Sequence, residues 1–269
     1  MPEWVLTLRS LRPLDEAVGS VLREAGTSGI WEVSPREWRA YFPSRDAPVE
    51  ERLKSMTESL DMAWSQEEPE DWAARYQASL RPIPMGNRFV ILPAPELASP
   101  WPARIPLHLV PGMAFGTGEH FTTASCLRVL EGITPVPPSV LDVGCGTGIL
   151  AAAAWKLGAR QVVACDTDPE ACAVSRETAA VNGTPFDVVE GSADAVSGTF
   201  DLLFANILAE TLVEIFPHLS SRIAPGGHLV GSGILLDLGD SVLKASVRNG
   251  LSLLQRRTDG EWWTFLWRR

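Results

Sequence analysis

Hydrophobic and polar positions along this chain change texture once, near residue 95. Before that point, residues 4–8 alternate like a half-buried strand, and residues 14–25 carry apolar groups at helical spacing. Residues 29–33 and 38–42 read as two further strands separated by a Ser34-Pro35 turn. Residues 48–60 read as a helix with Leu53, Met56 and Leu60 on one face, and residues 61–67 as a closing strand. The order β-α-β-β-α-β is that of a ferredoxin-like α+β domain. The acidic run from Glu67 to Asp71 then reads as a solvated joint. It leads into a helix with Trp72, Tyr76 and Leu80 at i, i+4 and i+8, a spacer that ends before Arg81-Pro-Ile-Pro. The expected organisation is a domain at 1–67, a linker with a helix at 68–95 and a larger domain at 96–269.

In the larger domain the pattern switches to continuous apolar runs. Residues 140–148, Val-Leu-Asp-Val-Gly-Cys-Gly-Thr-Gly, read as a buried parallel strand that stops in a glycine loop. Glycine lets such a loop turn sharply and approach a ligand that a Cβ would obstruct. Residues 149–157, alanine-rich and free of breakers, are the helix that follows, its N-terminus offering unpaired N–H groups to an anion. Residues 161–165 read as a second strand with Asp166 at its end, 22 residues after Gly144, where a carboxylate can hold both hydroxyls of a ribose. Residues 200–205 read as another buried strand ending at Asn206, a polar residue facing the ligand crevice. Residues 223–230 read as a helix stop and a tight turn, with Pro225 and Gly226-Gly227 as punctuation, entering a strand. Residues 251–257 and 262–267 form a hairpin around Asp259-Gly260.

The loop points to a nucleoside-containing cofactor without naming it. A dinucleotide frame, G-x-G-x-x-A, fits Gly146, Gly148 and Ala151 on spacing. The D-x-G-x-G-x-G arrangement of Asp142, Gly144, Gly146 and Gly148 is the pattern shared by S-adenosylmethionine (SAM) methyltransferases, in which Asp142 would accept a bond near the methionine amine. A parallel sheet finished by an antiparallel hairpin favours the SAM reading, because a dehydrogenase half would continue in βα units.

Composition narrows the partners. A net charge of −10 argues against a bulk electrostatic grip on nucleic acid and permits a basic protein or peptide. No apolar stretch approaches bilayer-spanning length, and the N-terminus lacks a basic leader with an apolar run, so a cytoplasmic location is expected. Cys126, Cys145, Cys165 and Cys172 include no C-x-x-C pair. Reduced thiols are therefore expected, with no metal site and no nucleophilic role for Cys145.

The run Pro111-Gly-Met-Ala-Phe-Gly-Thr-Gly-Glu-His-Phe-Thr-Thr123 narrows the class further. Together with the glycine loop, Asp166-Thr-Asp-Pro169 and Asn206-Ile-Leu208, it resembles the family of methyltransferases that modify large-subunit ribosomal protein eleven. The resemblance extends over the whole chain, although the first domain matches mainly in layout. It implies a Rossmann-like class I SAM methyltransferase sheet with a terminal hairpin, preceded by a small ferredoxin-like domain that recognises the free ribosomal protein. It implies methylation of lysine side chains and of the α-amino terminus by a monomer that binds neither nucleic acid nor membrane. Matching positions imply SAM contacts from Thr123, Gly144, Asp166 and Asn206; Asp166-Thr-Asp-Pro departs from the usual D-I-D-P by one residue and keeps both acids.

The chemistry expected of these residues follows from the reaction. Asn206, through its side-chain oxygen, and the backbone carbonyl of Ile207 are candidates for aiming an amine lone pair. Phe115 either lines a channel for a lysine stem, its π face favouring a cation, or anchors the core. The Gly112–Gly118 segment is a candidate lid. His120 serves as a structural hydrogen-bonder in preference to a proton acceptor. Two alternatives remain: a SAM methyltransferase for another protein, a small molecule or nucleic acid, and a non-enzymatic or dehydrogenase Rossmann module that would bind NAD and not SAM.

Overall fold

The computed structural model describes residues 3–45, 48–56, 60–67, 80–94, 97–109 and 121–269. The chain divides into two compact units, Met1–Ala78 and Ser79–Arg269.

The first unit runs β1 (Glu3–Ser10), α1 (Glu16–Glu24), β2 (Gly29–Ser34), β3 (Glu37–Phe42), α2 (Pro48–Met56) and β4 (Leu60–Glu67). Its four strands form one sheet in the order β2-β3-β1-β4, with every recorded pairing antiparallel. This is the β-α-β-β-α-β layout expected from the alternation. Asp15 caps α1 by accepting from the Ala17 and Val18 N–H groups, which satisfies two of the donors a helix start leaves open. Leu6, Leu8, Val18, Leu22 and Leu53 are buried together between sheet and helices. Helix α2 is shorter than its periodicity suggests. Val49 and Leu53, four residues apart, are the buried pair, Met56 is 42% exposed, and Leu60 pairs with Ser10 as the first residue of β4. At Leu60 sheet pairing, which satisfies a whole row of backbone groups, overrides the helical spacing.

The second unit begins earlier than the linker expectation places it. β5 (Ile83–Met85), β6 (Phe89–Leu92) and β7 (Ile105–His108) make a three-stranded sheet, antiparallel between β5 and β6 and parallel between β6 and β7. Phe89, Ile91 and Leu107 are fully buried in this unit's core, so the run Phe89-Val-Ile-Leu92 is structural and not a spacer. Of the expected spacer helix, only Leu80 lies within the described residues.

The remaining elements are α3 (Phe121–Gly132), β8 (Ser139–Val143), α4 (Ile149–Leu157), β9 (Gln161–Asp166), α5 (Pro169–Asn182), β10 (Asp187–Glu190), β11 (Phe200–Asn206), α6 (Ala209–Arg222), β12 (Ile223–Leu235), α7 (Gly239–Arg248), β13 (Ser252–Asp259) and β14 (Trp262–Arg268). Seven strands form one sheet in the order β10-β9-β8-β11-β12-β14-β13. The first five are parallel, and β14 runs antiparallel between β12 and β13. Both faces are covered, which is why these strands read as unbroken apolar runs. Val140 and Phe204 belong to the core on the α3 and α4 side, while their neighbours Leu141 and Leu203 belong to the core under α6 and α7. Among the described residues no helix is long and apolar enough to cross a membrane.

The strand order creates a gap at one edge of β8. From β8 the chain first winds outward through β9 and β10, then returns to lay β11 and β12 on the other side of β8. The carboxyl ends of β8 and β11 therefore border a topological switch point, where open parallel sheets leave a crevice for ligands.

Candidate functional site

A cavity of about 490 Å³ opens at that switch point, inside the second unit. Its wall brings together residues far apart in sequence: Thr123 from α3, Asp142 from β8, Gly144 and Gly146 from the loop, Asp166 at the end of β9, and Asn206 with Ile207 at the end of β11.

The loop is held by its own backbone and by Asp166. The N–H groups of Gly144 and Cys145 both donate to the Cys165 carbonyl, at 2.8 and 3.1 Å. Gly144, Gly146 and Gly148 have φ of 68°, 52° and 74°, three left-handed positions, which L side chains adopt only with strain, alternating with ordinary backbone. Asp166 Oδ2 accepts from Gly146 N–H at 2.9 Å, and its Oδ1 accepts from Asp168 N–H at 3.1 Å. A carboxylate has about four lone-pair sites, so two remain for hydroxyls in the cavity.

Gly148 is placed by helix packing as well as by the loop. It is not among the cavity-lining residues; as the N-cap of α4 it sits against α5, where a Cβ would meet Ser175 Oγ and come within 3.1 Å of the Phe186 ring. Phe115, His120 and the glycine-rich segment expected to act as a lid lie outside the described residues.

Asp142 is buried to 1% exposure and accepts from Ala151 N–H at 3.2 Å. Burial pushes its carboxyl up to about 8, the Ala151 bond opposing the rise and the charge of Asp166 adding to it. The folded protein thus keeps a proton on Asp142 that an unfolded chain releases near pH 4. Since the folded state binds more protons across that window, Asp142 makes stability fall as pH climbs from about 4 to about 8. Asp142→Asn should flatten this dependence. In thermal unfolding at pH 5 and pH 8, wild type should lose more Tm than the variant, and equal losses would refute the assignment.

The thiols nearby are inert. Burial, aided by the Asp142 charge, pushes Cys165 up to about 12 and Cys145 well above the ordinary thiol range. A thiolate nucleophile is therefore not available in the loop. Among the described residues no group of three or more His, Cys, Asp or Glu is placed to hold a metal ion.

Asn206 is the unsatisfied group in the wall. Its Nδ2 donates to Thr123 Oγ1 across 3.5 Å, while its Oδ1 is buried with no hydrogen-bond partner. An orphaned buried acceptor costs about 1–3 kcal/mol and calls for a donor from a ligand. Ile207 follows, its N–H donating to the Ser232 carbonyl at 3.2 Å and its side chain packed over Gly144, where any Cβ would strike Ile207 Cγ2.

The cavity also has walls that sequence patterns do not reveal. Gly191 and Ser192 after β10, Thr211 and Ile215 on α6, Gly233 in β12 and Trp262 in β14 all line it. Strand β10 is short and half-exposed, so residues 187–190 carry little hydrophobic signal. For Thr211 and Ile215 the available signal is their spacing of four, which places both on one face of α6.

These residues suit SAM: paired lone pairs on Asp166 for a ribose, a glycine loop beside them, and an orphaned acceptor at the opposite wall. A family model described as "Ribosomal protein L11 methyltransferase (PrmA)" matches residues 19–269. Two proteins named ribosomal protein L11 methyltransferase are similar over most of the chain. That of Pelobacter propionicus is 41% identical over 252 residues, 86% of this chain and 81% of its own. That of Geobacter metallireducens is 41% identical over 237 residues, 83% and 79% of the two chains. Among solved structures, a ribosomal protein L11 methylase from Lactobacillus delbrueckii subsp. bulgaricus superposes with a TM-score of 0.66 at 33% identity, covering 70% of this chain and 98% of that one.

Proposed function

Because the chain belongs to the ribosomal protein L11 methyltransferase family, we propose that it uses the switch-point cavity to methylate amino groups of L11, on lysine side chains and at the α-amino terminus. The observation that carries the assignment of roles is the buried, partnerless Oδ1 of Asn206 on the wall of a cavity that also holds the glycine loop and Asp166.

When bound, SAM supplies a methyl group made electrophilic by its sulfonium. Asp166 would hold the ribose hydroxyls, Gly144, Gly146 and Asp142 would border the methionine end, and Thr123 lines the cavity with Asn206. Asn206 Oδ1 and the Ile207 carbonyl accept N–H bonds from the incoming amine and so direct its lone pair. A lysine amine is mostly protonated at neutral pH, with pKa near 10.4. Apolar walls from Ile149, Leu150, Ile207 and Ile215 disfavour the charged form and leave a neutral nucleophile. Positioning of this kind, with no further covalent help from the protein, is where most of the rate must come from. Ile207 and Leu208 follow Asn206, so the strand end itself carries no ring to stack on a planar base, which supports an aliphatic amine as substrate.

The enzyme acts on free L11, as a monomer in the cytoplasm, without nucleic acid or membrane. The net charge of −10 supports this by repelling phosphate backbones and favouring encounter with a basic protein. The ferredoxin-like unit supplies recognition of the target. Transfer from labelled SAM to purified L11, with bulk cell protein and RNA as parallel substrates, tests the target directly. Selective labelling of L11 is expected, and labelling of RNA instead would sink it. Removing the first unit should lower kcat/KM for L11 by about a hundredfold, comparable to losing several interface anchors, with SAM affinity retained; undiminished transfer would remove the recognition role.

A further inference from the structure

Two glycines hold Ile207 between them. One is Gly144 in the cofactor loop. The other is Gly233, in β12, on the opposite side of the same residue. It has φ of +81°, and a Cβ built there would lie 2.5 Å from the Ile207 carbonyl oxygen, 3.0 Å from its carbon and 3.2 Å from its nitrogen. These are backbone atoms, so no side-chain rotation can relieve the clash.

The strand around Gly233 is irregular in a way that serves this approach. Along β11, Asn206 sits opposite Ser232, and the Ile207 N–H bonds to the Ser232 carbonyl. On the other edge, pairing with β14 slips between Gly231 and Ile234, so Ser232 and Gly233 form a bulge. Bulges bend a strand and re-aim what it carries. This one is pinned from behind: Ser232 Oγ lies 2.7 Å from Thr264 Oγ1 and donates to the Trp263 carbonyl at 3.1 Å. The Ser232 side chain is fully buried, so those bonds are not exchanged with water.

We infer that the Ser232–Gly233 bulge is the positioning element for methyl transfer: it fixes where the Ile207 carbonyl stands and so aims the amine. Gly233 itself lines the cavity, and the role inferred for it is exerted through Ile207, the residue whose backbone it contacts. The inference rests on the reading of Asn206 and Ile207 as the amine-aligning pair. Any residue larger than glycine at 233 must push the Ile207 peptide away, and displacements near 1 Å can lower a rate by about a hundredfold.

The test is Gly233→Ala in the full chain, with steady-state methylation of L11 and direct SAM binding. A kcat lower by about thirty- to a hundredfold is expected, with KM for L11 and Kd for SAM within about threefold. Gly250→Ala is the control for backbone strain, because Gly250 has φ of +75° and no atom within 4 Å of its Cβ position. Its kcat should stay within about twofold of wild type, whatever it does to Tm. Should Gly233→Ala fail to fold, Ser232→Ala decides, since it releases the bulge from β14 without a clash. A kcat lower by about five- to tenfold at unchanged SAM affinity supports the inference, and unchanged kcat overturns it. It is equally overturned if Gly233→Ala keeps kcat, or loses SAM affinity in step with kcat. Asn206→Ala, run alongside, separates the two levels. If that variant transfers normally, the site reading and this inference both fall; if it is impaired while Gly233→Ala is not, the positioning role alone falls.

Discussion

Replacing Asp166 with alanine should weaken SAM binding by about two to three orders of magnitude, the largest loss of affinity expected from any single substitution in the site. Its carboxylate sits at the end of β9, bordering the cavity, with one oxygen on Gly146 N–H and the other on Asp168 N–H. Two vicinal ribose hydroxyls would donate to its remaining lone pairs, and hydrogen bonds to a charged group contribute roughly 1.5–3 kcal/mol each. Two of them, net of exchange with water, amount to about 3–6 kcal/mol, and the lower part of that range corresponds to about two to three orders of magnitude. Alanine removes the loop support as well, so a second variant separates the contributions. Asp166→Asn keeps one acceptor for Gly146 N–H but cannot receive two hydroxyls, and should fall about tenfold, between the two extremes. Quenching of tryptophan fluorescence reads the binding, because Trp262 lines the cavity. Unchanged affinity in Asp166→Ala would remove the ribose assignment.

The position of Asp166, at a strand end on the cavity wall, was legible in the sequence because several requirements coincide there. The apolar strand, the glycine loop 22 residues upstream and the position of an acid at a strand end all follow from how a parallel sheet meets a nucleoside. The same holds for the helix at 149–157 and for the strand expected at 161–165, which extends one residue further to Asp166. Other features depend on tertiary pairing that no local pattern records. Residues 223–230 read as a turn before a strand, yet Pro225 and Gly226 are incorporated in one long strand, Ile223–Leu235, with φ of +79° at Gly226. Leu60 has the spacing of a helix face and becomes a strand residue because Ser10 lies opposite it. Gly148 shares the loop's spacing and also lies hard against Ser175 and Phe186, a packing demand that only their positions reveal. Gly233 carried no signal at all. A glycine inside an apolar strand reads as a weakness, and its purpose is visible only once Ile207 is seen against it.

Asn206→Ala should leave SAM affinity within about threefold and lower kcat by about a thousandfold, the upper end of what losing one preorganised polar group does to a transition state. The separation follows from where the side chain stands. Asp166 and the glycine loop lie on the β8 and β9 side of the cavity, while Asn206 ends β11 on the other side of the switch point. Its Oδ1 is buried and unpaired, and on the proposed reading the donor it receives is the substrate amine N–H. That bond forms with the nucleophile and not with the cofactor, and its loss therefore appears in kcat. Alanine also relieves the orphaned acceptor, so the variant should be no less stable than wild type and its Tm should hold. Asn206→Asp keeps an acceptor in place and should recover part of the rate, at a cost in pH dependence as the new carboxyl titrates. Single-turnover transfer at saturating SAM measures the effect without interference from product release. A rate within about threefold of wild type would show that the orphaned oxygen is only a strand-end feature. A parallel fall in SAM affinity would instead assign Asn206 to the cofactor.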